Sequence, residues 1–356
     1  MEIGIIGFPQ SGKTTLFHAL ARGRVESASQ GSGRRDVHAG TARMADRRLD
    51  SLGDIIQPDK VTPAEVKYWD VPAGSGDGFG GRYLTVLQGA DALLHVVRQF
   101  QDPSVAHVKS AVDPVRDVAD MEAELALSDL AILERRLERI EAQQKGARAP
   151  ERDSLTRESA LLQRLKDGLE QGVPVRRQEA PDQMADVLSG YQFLTAKPLL
   201  TVVNTGEDGP GDGMDRVAIG GPGTECTSLS ARLEMELTQL SPDDEEEFRA
   251  SMGMTESGLD RVVRMSLRLL SLVSFFTYVS REVRAWTVPE DTPAVKAAGR
   301  IHTDMERGFI RAEVVSFDDL SECGSLAQCK KQGLLRLEGK GYSVKDGDVI
   351  TFLFNT

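Results

Sequence analysis

The sequence has little cysteine, and its few cysteines form no recognisable framework. Cys226, Cys323 and Cys329 are the three thiols among 356 residues. An odd number of thiols at this spacing gives neither a complete set of disulfides nor a pattern of metal ligands. A disulfide-stabilised secreted scaffold and a cysteine-based zinc site are therefore excluded. We expect reduced thiols, buried or idle, in a cytoplasmic protein.

Long apolar runs and an excess of basic charge are absent too. No apolar run approaches the length that spans a bilayer, so we expect no membrane contact. The 43 Lys and Arg residues are outnumbered by 55 Asp and Glu residues, and the net charge of −12 disfavours general binding to polyanions such as DNA. Residues 277–356 carry 11 basic and 12 acidic side chains, so this nearly neutral tail is the better candidate for contact with RNA.

What the sequence does contain is a complete phosphate-binding motif. Its start, MEIGIIGFPQSGKTTLFHAL, has an apolar strand, then G-x-x-x-x-G-K-[ST] from Gly7 to Thr14, then a helix from Thr15. Since the first residues already predict a strand, we expect no signal peptide. Strand, loop and helix in this order are the context that a P-loop requires. The alternative, a glycine-rich turn beside a surface lysine, does not account for the whole pattern.

The residue types of the motif fit the chemistry of a nucleotide polyphosphate. Gly7 and Gly12 permit backbone conformations in which successive N–H groups face a phosphate, and the start of the helix adds its positive end. Lys13 is predicted to reach the β- and γ-phosphates as the catalytic residue, and the Thr14 hydroxyl to bind Mg²⁺. We assign nucleotide contacts to the whole loop: Phe8, Pro9, Gln10, Ser11, Gly12, Lys13, Thr14 and Thr15.

Asp70 ends the next predicted strand, Val66 to Asp70, where a second metal-binding group is expected. We assign this carboxylate to Mg²⁺, and the alternative is a surface aspartate at a strand end. Five glycines follow between Gly74 and Gly81. They indicate either a loop that reorders with the γ-phosphate or a disordered surface loop.

Two further apolar segments, Ala92 to Val97 and Lys197 to Asn204, predict buried strands. His95 lies within the first segment, and we interpret it as a hydrogen-bonded core histidine and not as a catalyst. Between the two segments the pattern predicts two long antiparallel helices that pack as a coiled-coil hairpin. The first helix carries a heptad seam of Leu130, Leu133, Leu137 and Ile140.

Asn204 to Glu207, N-T-G-E, follows the last of these strands directly. GTPases of the P-loop class carry N-K-x-D at this place, where the aspartate accepts hydrogen bonds from guanine. Because lysine is missing and the acid is longer, we expect adenine. We assign nucleotide contacts to Asn204, Thr205, Glu207 and, before the next helix, Ser230. The alternative is an ordinary strand-end turn.

The C-terminal part predicts a helix and then a small α+β module. Leu259 to Phe276 is an apolar stretch that we interpret as a helix packed on the sheet. Beyond Thr277, short strands over Val283 to Val288, Phe309 to Val315 and Val349 to Phe354 are joined by glycine turns. This pattern indicates a module separate from the P-loop sheet.

Over nearly its whole length the sequence resembles the YchF, or Obg-like ATPase, family of P-loop proteins. The segments that carry the resemblance are GFPQSGKTTLFHAL, RLDSLGDIIQPDKVTPAEV, ADALLHVVRQFQDP, the N-x-x-E from Asn204, EVRAWTV and AAGRIHTDMERGFIRAEV…RLEGKGYSVKDGDVITF. The last two resemble the TGS domain, a ubiquitin-like β-grasp module.

The resemblance implies an α/β fold: a P-loop NTPase sheet, an inserted helical coiled-coil hairpin and a C-terminal β-grasp domain. The implied domains are residues 1–114 with 191–276 for the nucleotide, 115–190 for the arm and 277–356 for TGS. It also implies ATP in preference to GTP, association with the ribosome, and weak hydrolysis, because the family replaces the catalytic glutamine with an apolar residue.

The sequence departs from the family at three places that bear on turnover. Ala73 stands where D-x-x-G has its glycine, and Gly74 comes one residue late. The threonine of the first switch would fall near Arg34, whereas the nearest threonine is Thr41. Gln10 replaces an asparagine of the family's P-loop, which puts potassium-assisted catalysis in doubt. Nucleotide binding survives these changes, whereas efficient turnover need not.

These observations lead to one hypothesis and two alternatives. The hypothesis is a cytoplasmic, monomeric, slow Mg²⁺-dependent ATPase that binds ATP and ADP and acts as a switch on the ribosome or its RNA. The first alternative is a binding protein that no longer hydrolyses nucleotide. The second is an RNA-binding scaffold that acts through residues 277–356.

Overall fold

A computed structural model describes most of the chain. The described residues are 1–27, 37–72, 79, 82–105, 107, 111–179, 188, 190–207, 224–254 and 256–355. They form two compact units: Met1–Ala42 with Lys67–Val262, and Arg43–Val66 with Val263–Thr356. None of the described helices is both long and apolar enough to cross a bilayer.

The strands and helices are numbered in chain order. The strands are β1 (Glu2–Ile6), β2 (Val25–Ser27), β3 (His38–Arg43), β4 (Lys60–Thr62), β5 (Glu65–Asp70), β6 (Ala92–Arg98), β7 (Leu199–Asn204), β8 (Glu225–Leu229), β9 (Leu272–Val279), β10 (Glu282–Pro289), β11 (Phe309–Ser316), β12 (Arg336–Glu338) and β13 (Asp348–Phe354). The α-helices are α1 (Lys13–Ala21), α2 (Arg47–Ile56), α3 (Arg82–Gly89), α4 (Pro114–Gln144), α5 (Ala149–Glu170), α6 (Ala231–Leu237), α7 (Pro242–Ser251), α8 (Gly258–Leu269), α9 (Ala294–Ile301), α10 (Thr303–Arg307), α11 (Phe317–Cys323) and α12 (Leu326–Lys331).

The first unit is built on a seven-stranded sheet in the order β2-β3-β5-β1-β6-β7-β8. The pairs β1–β5, β1–β6, β6–β7 and β7–β8 are parallel. β6 and β7 are buried along their whole length, as expected for central strands covered on both faces. Because these strands run in the same direction, their carboxyl ends meet at one edge of the sheet. The segments that follow them therefore converge on a single place.

The long helices α4 and α5 form the predicted hairpin. Leu133 and Ile140 of the heptad seam are buried, and they pack in one apolar cluster with Leu162 and Leu165 of α5. Asp129 fixes the base of the hairpin, because its carboxylate accepts hydrogen bonds from the N–H groups of Leu194 and Thr195, each at 2.8 Å. Burial raises the pKa of Asp129, and these hydrogen bonds oppose the rise.

The second unit has its own six-stranded sheet, in the order β12-β11-β13-β9-β10-β4. An apolar core lies between this sheet and α9, and it includes Phe275, Ala297, Ile350 and Phe352. The two separate sheets and the hairpin confirm the predicted α/β architecture with a C-terminal α+β part.

One element of the C-terminal part was predicted wrongly. The helix expected over Leu259 to Phe276 ends at Leu269, and the segment from Leu272 is strand β9. Ser271, whose φ is 47°, separates the two elements in the left-handed region. The segment LVSFFTYV is rich in β-branched and aromatic residues, which favour a strand, but a short apolar run does not by itself distinguish strand from buried helix.

A segment from the first half of the chain also belongs to the second unit. Strand β4 lies at the edge of the six-stranded sheet and pairs in parallel with β10, with Val61 opposite Val283. In α2 the Arg48 guanidinium lies 5.5 Å from the centre of the Phe276 ring and 2.6 Å from Asp346 Oδ2. Nothing in the sequence pattern of residues 43–66 indicated this long-range pairing.

Candidate functional site

The loop between β1 and α1 has the backbone conformation that its glycines permit. Gly7 has φ 154° and Gly12 has φ 91°. A Cβ atom on Gly7 would lie 2.5 Å from the carbonyl oxygen of Val96, and one on Gly12 would lie 2.1 Å from Asn204 Nδ2. Both positions therefore require glycine for backbone angle and for space together. Within the loop, the Ser11 N–H donates to the Phe8 carbonyl at 3.2 Å.

Two residues assigned to Mg²⁺ meet at the start of α1. The Thr14 hydroxyl donates to Asp70 Oδ2 at 2.9 Å, although the two residues are 56 positions apart in the chain. Asp70 ends strand β5 and is 5% exposed. Its other oxygen, Oδ1, is buried and has no hydrogen-bond partner within the described part of the chain. A hydroxyl oxygen and a carboxylate oxygen placed together are ligands that suit Mg²⁺.

Lys13 and Thr15 lie on either side of Thr14 in the first turn of α1. Lys13 is the first residue of the helix and is 8% exposed. The first turn contains no acidic side chain of its own, and the carboxylate that contacts it is that of Asp70, through the Thr14 hydroxyl. The arrangement suits a polyphosphate, whose negative charge needs both the backbone N–H groups and a cation.

Asn204 ties the phosphate loop to two other elements. Its side-chain Nδ2 donates to the Ser11 carbonyl at 3.0 Å, and its Oδ1 accepts from the Ala231 N–H at 2.9 Å. Asn204 is 4% exposed and ends strand β7. One buried amide therefore fixes the loop, the end of β7 and the start of α6 relative to one another.

The remaining residues assigned to the nucleotide lie at the ends of β7 and β8. Thr205 is buried, and its N–H donates to the Leu229 carbonyl at 2.9 Å. Ser230 caps α6, where its hydroxyl accepts from the Leu233 N–H at 3.3 Å. Glu207 has a side chain that is 60% exposed and lies 3.7 Å from Arg232. Glu207 is thus held loosely, whereas Asn204, Thr205 and Ser230 are fixed by hydrogen bonds within the fold.

His95 differs from its predicted role. Both ring nitrogens are buried without a hydrogen-bond partner among the residues that the structure describes, so it is not a satisfied core histidine. Burial lowers the pKa of His95 to about 3, and the ring is neutral at physiological pH. Thr201 lies opposite His95 on the adjacent strand β7, and its buried hydroxyl likewise has no hydrogen-bond partner in the described chain. An apolar run in the sequence predicts that a histidine within it is buried, but it does not predict whether that histidine has a hydrogen-bond partner.

A small cavity of about 10 Å³ lies behind the phosphate loop. Its wall includes Phe8, Pro9 and Ser11 of the loop, His95 of β6, and the pair His107 and Asp117. His107 Nε2 lies 3.0 Å from Asp117 Oδ2 at the beginning of α4. No sequence motif points to His107 or Asp117, because a histidine and an aspartate ten residues apart match no known pattern. The expectations for Arg34, Ala73 and Gly74 concern residues that lie outside the described part of the chain.

Comparison with known proteins agrees with this geometry. A family model described as "50S ribosome-binding GTPase" matches residues 2–134, and the model YchF-GTPase_C, described as a protein of unknown function, matches residues 272–355. The chain is 37% identical to "Ribosome-binding ATPase YchF" of Bacillus subtilis, in an alignment covering 100% of this chain and 99% of the relative. It is 36% identical to the protein of the same name from Escherichia coli O157:H7, with 99% of each chain covered.

A eukaryotic relative and a solved structure extend the comparison. "Obg-like ATPase 1" of Caenorhabditis elegans is 34% identical, with 100% of this chain and 92% of that protein covered. The structure of the Schizosaccharomyces pombe YchF GTPase superposes with a TM-score of 0.86 at 27% identity, covering 99% of this chain and 97% of that one. Sequence similarity to these relatives along the whole chain, together with the P-loop motif, implies that the protein binds a nucleotide with Mg²⁺. The chain belongs to the YchF family of P-loop nucleotide-binding proteins.

Proposed function

We propose that this protein binds ATP with Mg²⁺, hydrolyses it slowly and acts as a nucleotide switch at the ribosome. The observation that carries the proposal is the hydrogen bond from Thr14 to Asp70 at the foot of the phosphate loop. These two residues would hold the metal, which supplies charge neutralisation at the β- and γ-phosphates. The buried Oδ1 of Asp70, which has no hydrogen-bond partner among the described residues, supports the assignment.

In this proposal the chain's own groups bind and orient the polyphosphate. The N–H groups from Pro9 to Thr15 surround the phosphates, and the Lys13 ammonium balances their charge. Asn204 holds the loop in that shape through the Ser11 carbonyl. No side chain is assigned as a general base, which agrees with slow turnover.

The preference for ATP rests on the N-T-G-E segment and on the names of the relatives. The bacterial relatives and the nematode relative are named ATPases, whereas the matched family model and the yeast structure carry the name GTPase. We infer adenine, because Glu207 is longer than the aspartate that recognises guanine. Thr205 and Ser230 complete the base end of the site, where the Ser230 hydroxyl retains a proton to donate.

The partner follows from the bacterial relatives, which are named ribosome-binding. We infer a cytoplasmic monomer that contacts the ribosome or its RNA and binds no DNA. Residues 1–114 and 191–276 would respond to ATP and ADP. The arm, residues 115–190, and the TGS domain, residues 277–356, would contact the partner, and these contacts would depend on which nucleotide is bound.

Calorimetry with ATP, ADP and GTP in the presence of Mg²⁺ tests the nucleotide assignment. We expect both adenine nucleotides to bind more tightly than GTP. Lys13→Ala should weaken ATP binding by about 10- to 100-fold, since a hydrogen bond to a charged group contributes about 1.5–3 kcal/mol. The control is Lys166→Ala, which removes a lysine paired with Glu134 on the arm. Equal or tighter binding of GTP would contradict the choice of adenine.

Single-turnover hydrolysis distinguishes a slow enzyme from a binding protein. Excess protein is mixed with labelled ATP and Mg²⁺, and the release of phosphate is compared with that of Lys13→Ala and of buffer alone. We expect slow release that depends on Lys13. Release no faster than in buffer, with ATP binding retained, would favour the non-hydrolysing alternative.

A further inference from the structure

Three exposed arginines towards the tip of the arm take no part in the proposed binding of the nucleotide. Arg135 and Arg139 lie about one turn apart on α4, and Arg157 lies on α5. Across the described part of the chain, none of these guanidinium groups forms an ion pair, although Asp153 lies one turn before Arg157. The Nε of Arg135 donates to the Ala131 carbonyl at 2.8 Å. We call the three arginines the arginine face.

The packing of the two helices places the arginine face on one side of the arm. Arg136 Nε lies 2.8 Å from Glu158 Oε1, so this turn of α4 is level with the residues around Glu158. Successive residues of an α-helix are about 100° apart around its axis. Arg139 is therefore on the same side of α4 as Arg136, and Arg157 lies next to Glu158 on the outer surface of α5. Glu134, two residues before Arg136, marks the opposite side.

The opposite side of the arm carries paired charges. Lys166 Nζ lies 3.0 Å from Glu134 Oε1 and 3.7 Å from Glu170 Oε1. Lys145 Nζ lies 3.9 Å from Glu141 Oε1. Carboxylates thus offset the cations on this side, whereas the positive charge of the arginine face is available to a partner.

The tip of the arm also differs in charge from the protein as a whole. Residues 135–157 carry seven basic and four acidic side chains, whereas the whole chain has a net charge of −12. Asp129 fixes the base of the hairpin, and Arg139 lies ten residues further along α4, which is about 15 Å along the helix axis. This distance exceeds the Debye length of about 10 Å at 0.1 M salt. The acidic remainder of the protein is therefore largely screened at the tip.

The chemistry of the arginine face fits phosphate groups. A guanidinium group is planar, stays charged and can donate two parallel hydrogen bonds to one phosphate. Along residues 128–172, all of which the structure describes, no large apolar side chain is exposed. The centre of a protein–protein interface is apolar, so this surface lacks what a protein partner would bury. The backbone of RNA, with its closely spaced phosphates, suits the arginine face better.

We propose that the arginine face binds the phosphate backbone of ribosomal RNA. The inference rests on the proposed association with the ribosome, and it names the surface and the chemistry by which the arm makes that contact. Binding to phosphates releases counterions, so the affinity falls steeply as salt increases. Phosphate contacts fix position and orientation but carry no information on base sequence. The arm would therefore position the protein on the ribosome without selecting a sequence.

Fluorescence anisotropy of the full-length protein with a short, labelled RNA duplex of mixed sequence tests the proposal. Three phosphate contacts should raise the dissociation constant by about 40-fold between 50 and 200 mM salt. The triple variant Arg135→Gln, Arg139→Gln, Arg157→Gln should bind about tenfold or more weakly at 50 mM salt and lose most of this salt dependence.

A second triple variant is matched in charge. Lys145→Gln, Arg152→Gln, Lys166→Gln removes three positive charges from the opposite side of the arm, and it should bind the duplex within about threefold of the wild type. Equal losses of affinity in the two triple variants would overturn the proposal, because general charge and not the arginine face would then attract the RNA. Both variants should bind ADP as the wild type does, which checks that they are folded.

Co-sedimentation with purified ribosomes distinguishes this inference from the proposed function. We expect the arginine variant to leave the ribosome at a lower salt concentration than the charge-matched variant. If the wild type and the arginine variant co-sediment equally, the inference is wrong and the ribosome association stands. If the wild type does not co-sediment, the association fails, and the duplex still decides whether the arginine face binds RNA. Loss of ribosome binding in the arginine variant, with no binding of the wild type to the duplex, would assign the face to an acidic ribosomal protein and overturn the proposal.

Discussion

The two ends of the proposed nucleotide site are built differently. At the phosphate end, Gly12 has φ 91° and lies so close to the Asn204 side chain that an added Cβ would force one of them to move, and Asp70 is 5% exposed. At the base end, the side chain of Glu207 is 60% exposed and forms an ion pair with Arg232, whose side chain is 74% exposed. In the proposed site the phosphate end is therefore fixed by the fold, whereas the proposed choice of base would depend on a side chain that the fold hardly constrains.

The largest expected effect is at Gly12, on the rigid end. A Cβ at this position would lie 2.1 Å from Asn204 Nδ2. Gly12→Ala should displace the loop and remove one or more charge-assisted hydrogen bonds, which weakens nucleotide binding by about 100-fold. The measurement is calorimetry with ADP and Mg²⁺.

Gly23→Ala is the matched control for this change. Gly23 has φ 80°, and a Cβ there would have no neighbour within 4 Å in the described part of the chain. The control therefore adds backbone strain of about 1–2 kcal/mol without a collision. Equal losses of ADP affinity in the two variants would show that strain alone, and not the contact with Asn204, limits the loop.

His95, beside the cavity behind the phosphate loop, should make folding dependent on pH. Its pKa is lowered from 6.5 to about 3 in the folded protein. The unfolded chain takes up a proton at a higher pH than the folded chain does, so stability falls as the pH decreases from 6.5. Between pH 7 and pH 5 the free energy of unfolding should fall by about 2 kcal/mol from this group alone.

Urea denaturation at pH 7 and pH 5 measures that dependence. His95→Leu should lose the contribution of about 2 kcal/mol, because no group at this position then binds a proton on unfolding. The control His18→Leu replaces an exposed histidine of α1, so comparing the two variants separates the loss of a buried imidazole from the loss of any histidine. An unchanged difference between the two pH values in His95→Leu would exclude His95 as its source.

Asn204 joins the rigid end to the base end, so its removal should affect both. Asn204→Ala leaves the Ala231 N–H without its acceptor and the Ser11 carbonyl without its donor. We expect a loss of about 1–2 kcal/mol in stability and roughly tenfold in ATP affinity. Asn204→Asp keeps an acceptor for Ala231 but cannot donate to Ser11. If the alanine variant binds ATP as the wild type does, the side chain does not shape the loop.

The smallest effect is expected at Glu207. Glu207→Asp shortens the exposed acid and should change the ratio of ATP to GTP affinity by about threefold, with less than 1 kcal/mol involved. Stability should stay within about 0.5 kcal/mol, as for other surface substitutions. Glu236→Asp is the control, because Glu236 also pairs with Arg232 but lies outside the assigned site. Competition calorimetry with both nucleotides decides whether Glu207 contributes more to base choice than Glu236 does.

The local sequence pattern predicted those elements that a motif or a hydrophobic period of a few residues identifies. The P-loop, the strand that ends at Asp70, the heptad seam and the separate C-terminal sheet all follow from motifs or periodicity. It failed where the signal was ambiguous or distant. Residues 272–276 are strand and not helix, and β4 pairs with β10 across more than two hundred residues. Short apolar runs carry no information on such partners.

The sequence by itself determined the phosphate loop. A loop whose backbone N–H groups face a phosphate needs glycine at fixed positions, and these glycines can be read directly from the sequence. The sequence also predicted that Thr14 and Asp70 serve one Mg²⁺, whereas only the tertiary structure decided that the Asn204 amide holds the Ser11 carbonyl and that β4 pairs with β10. These contacts depend on strand order and helix packing, which join residues far apart in the chain. A buried, hydrogen-bonded asparagine and an exposed one are the same letter in the sequence, so the role of Asn204 becomes visible only when the fold places its neighbours.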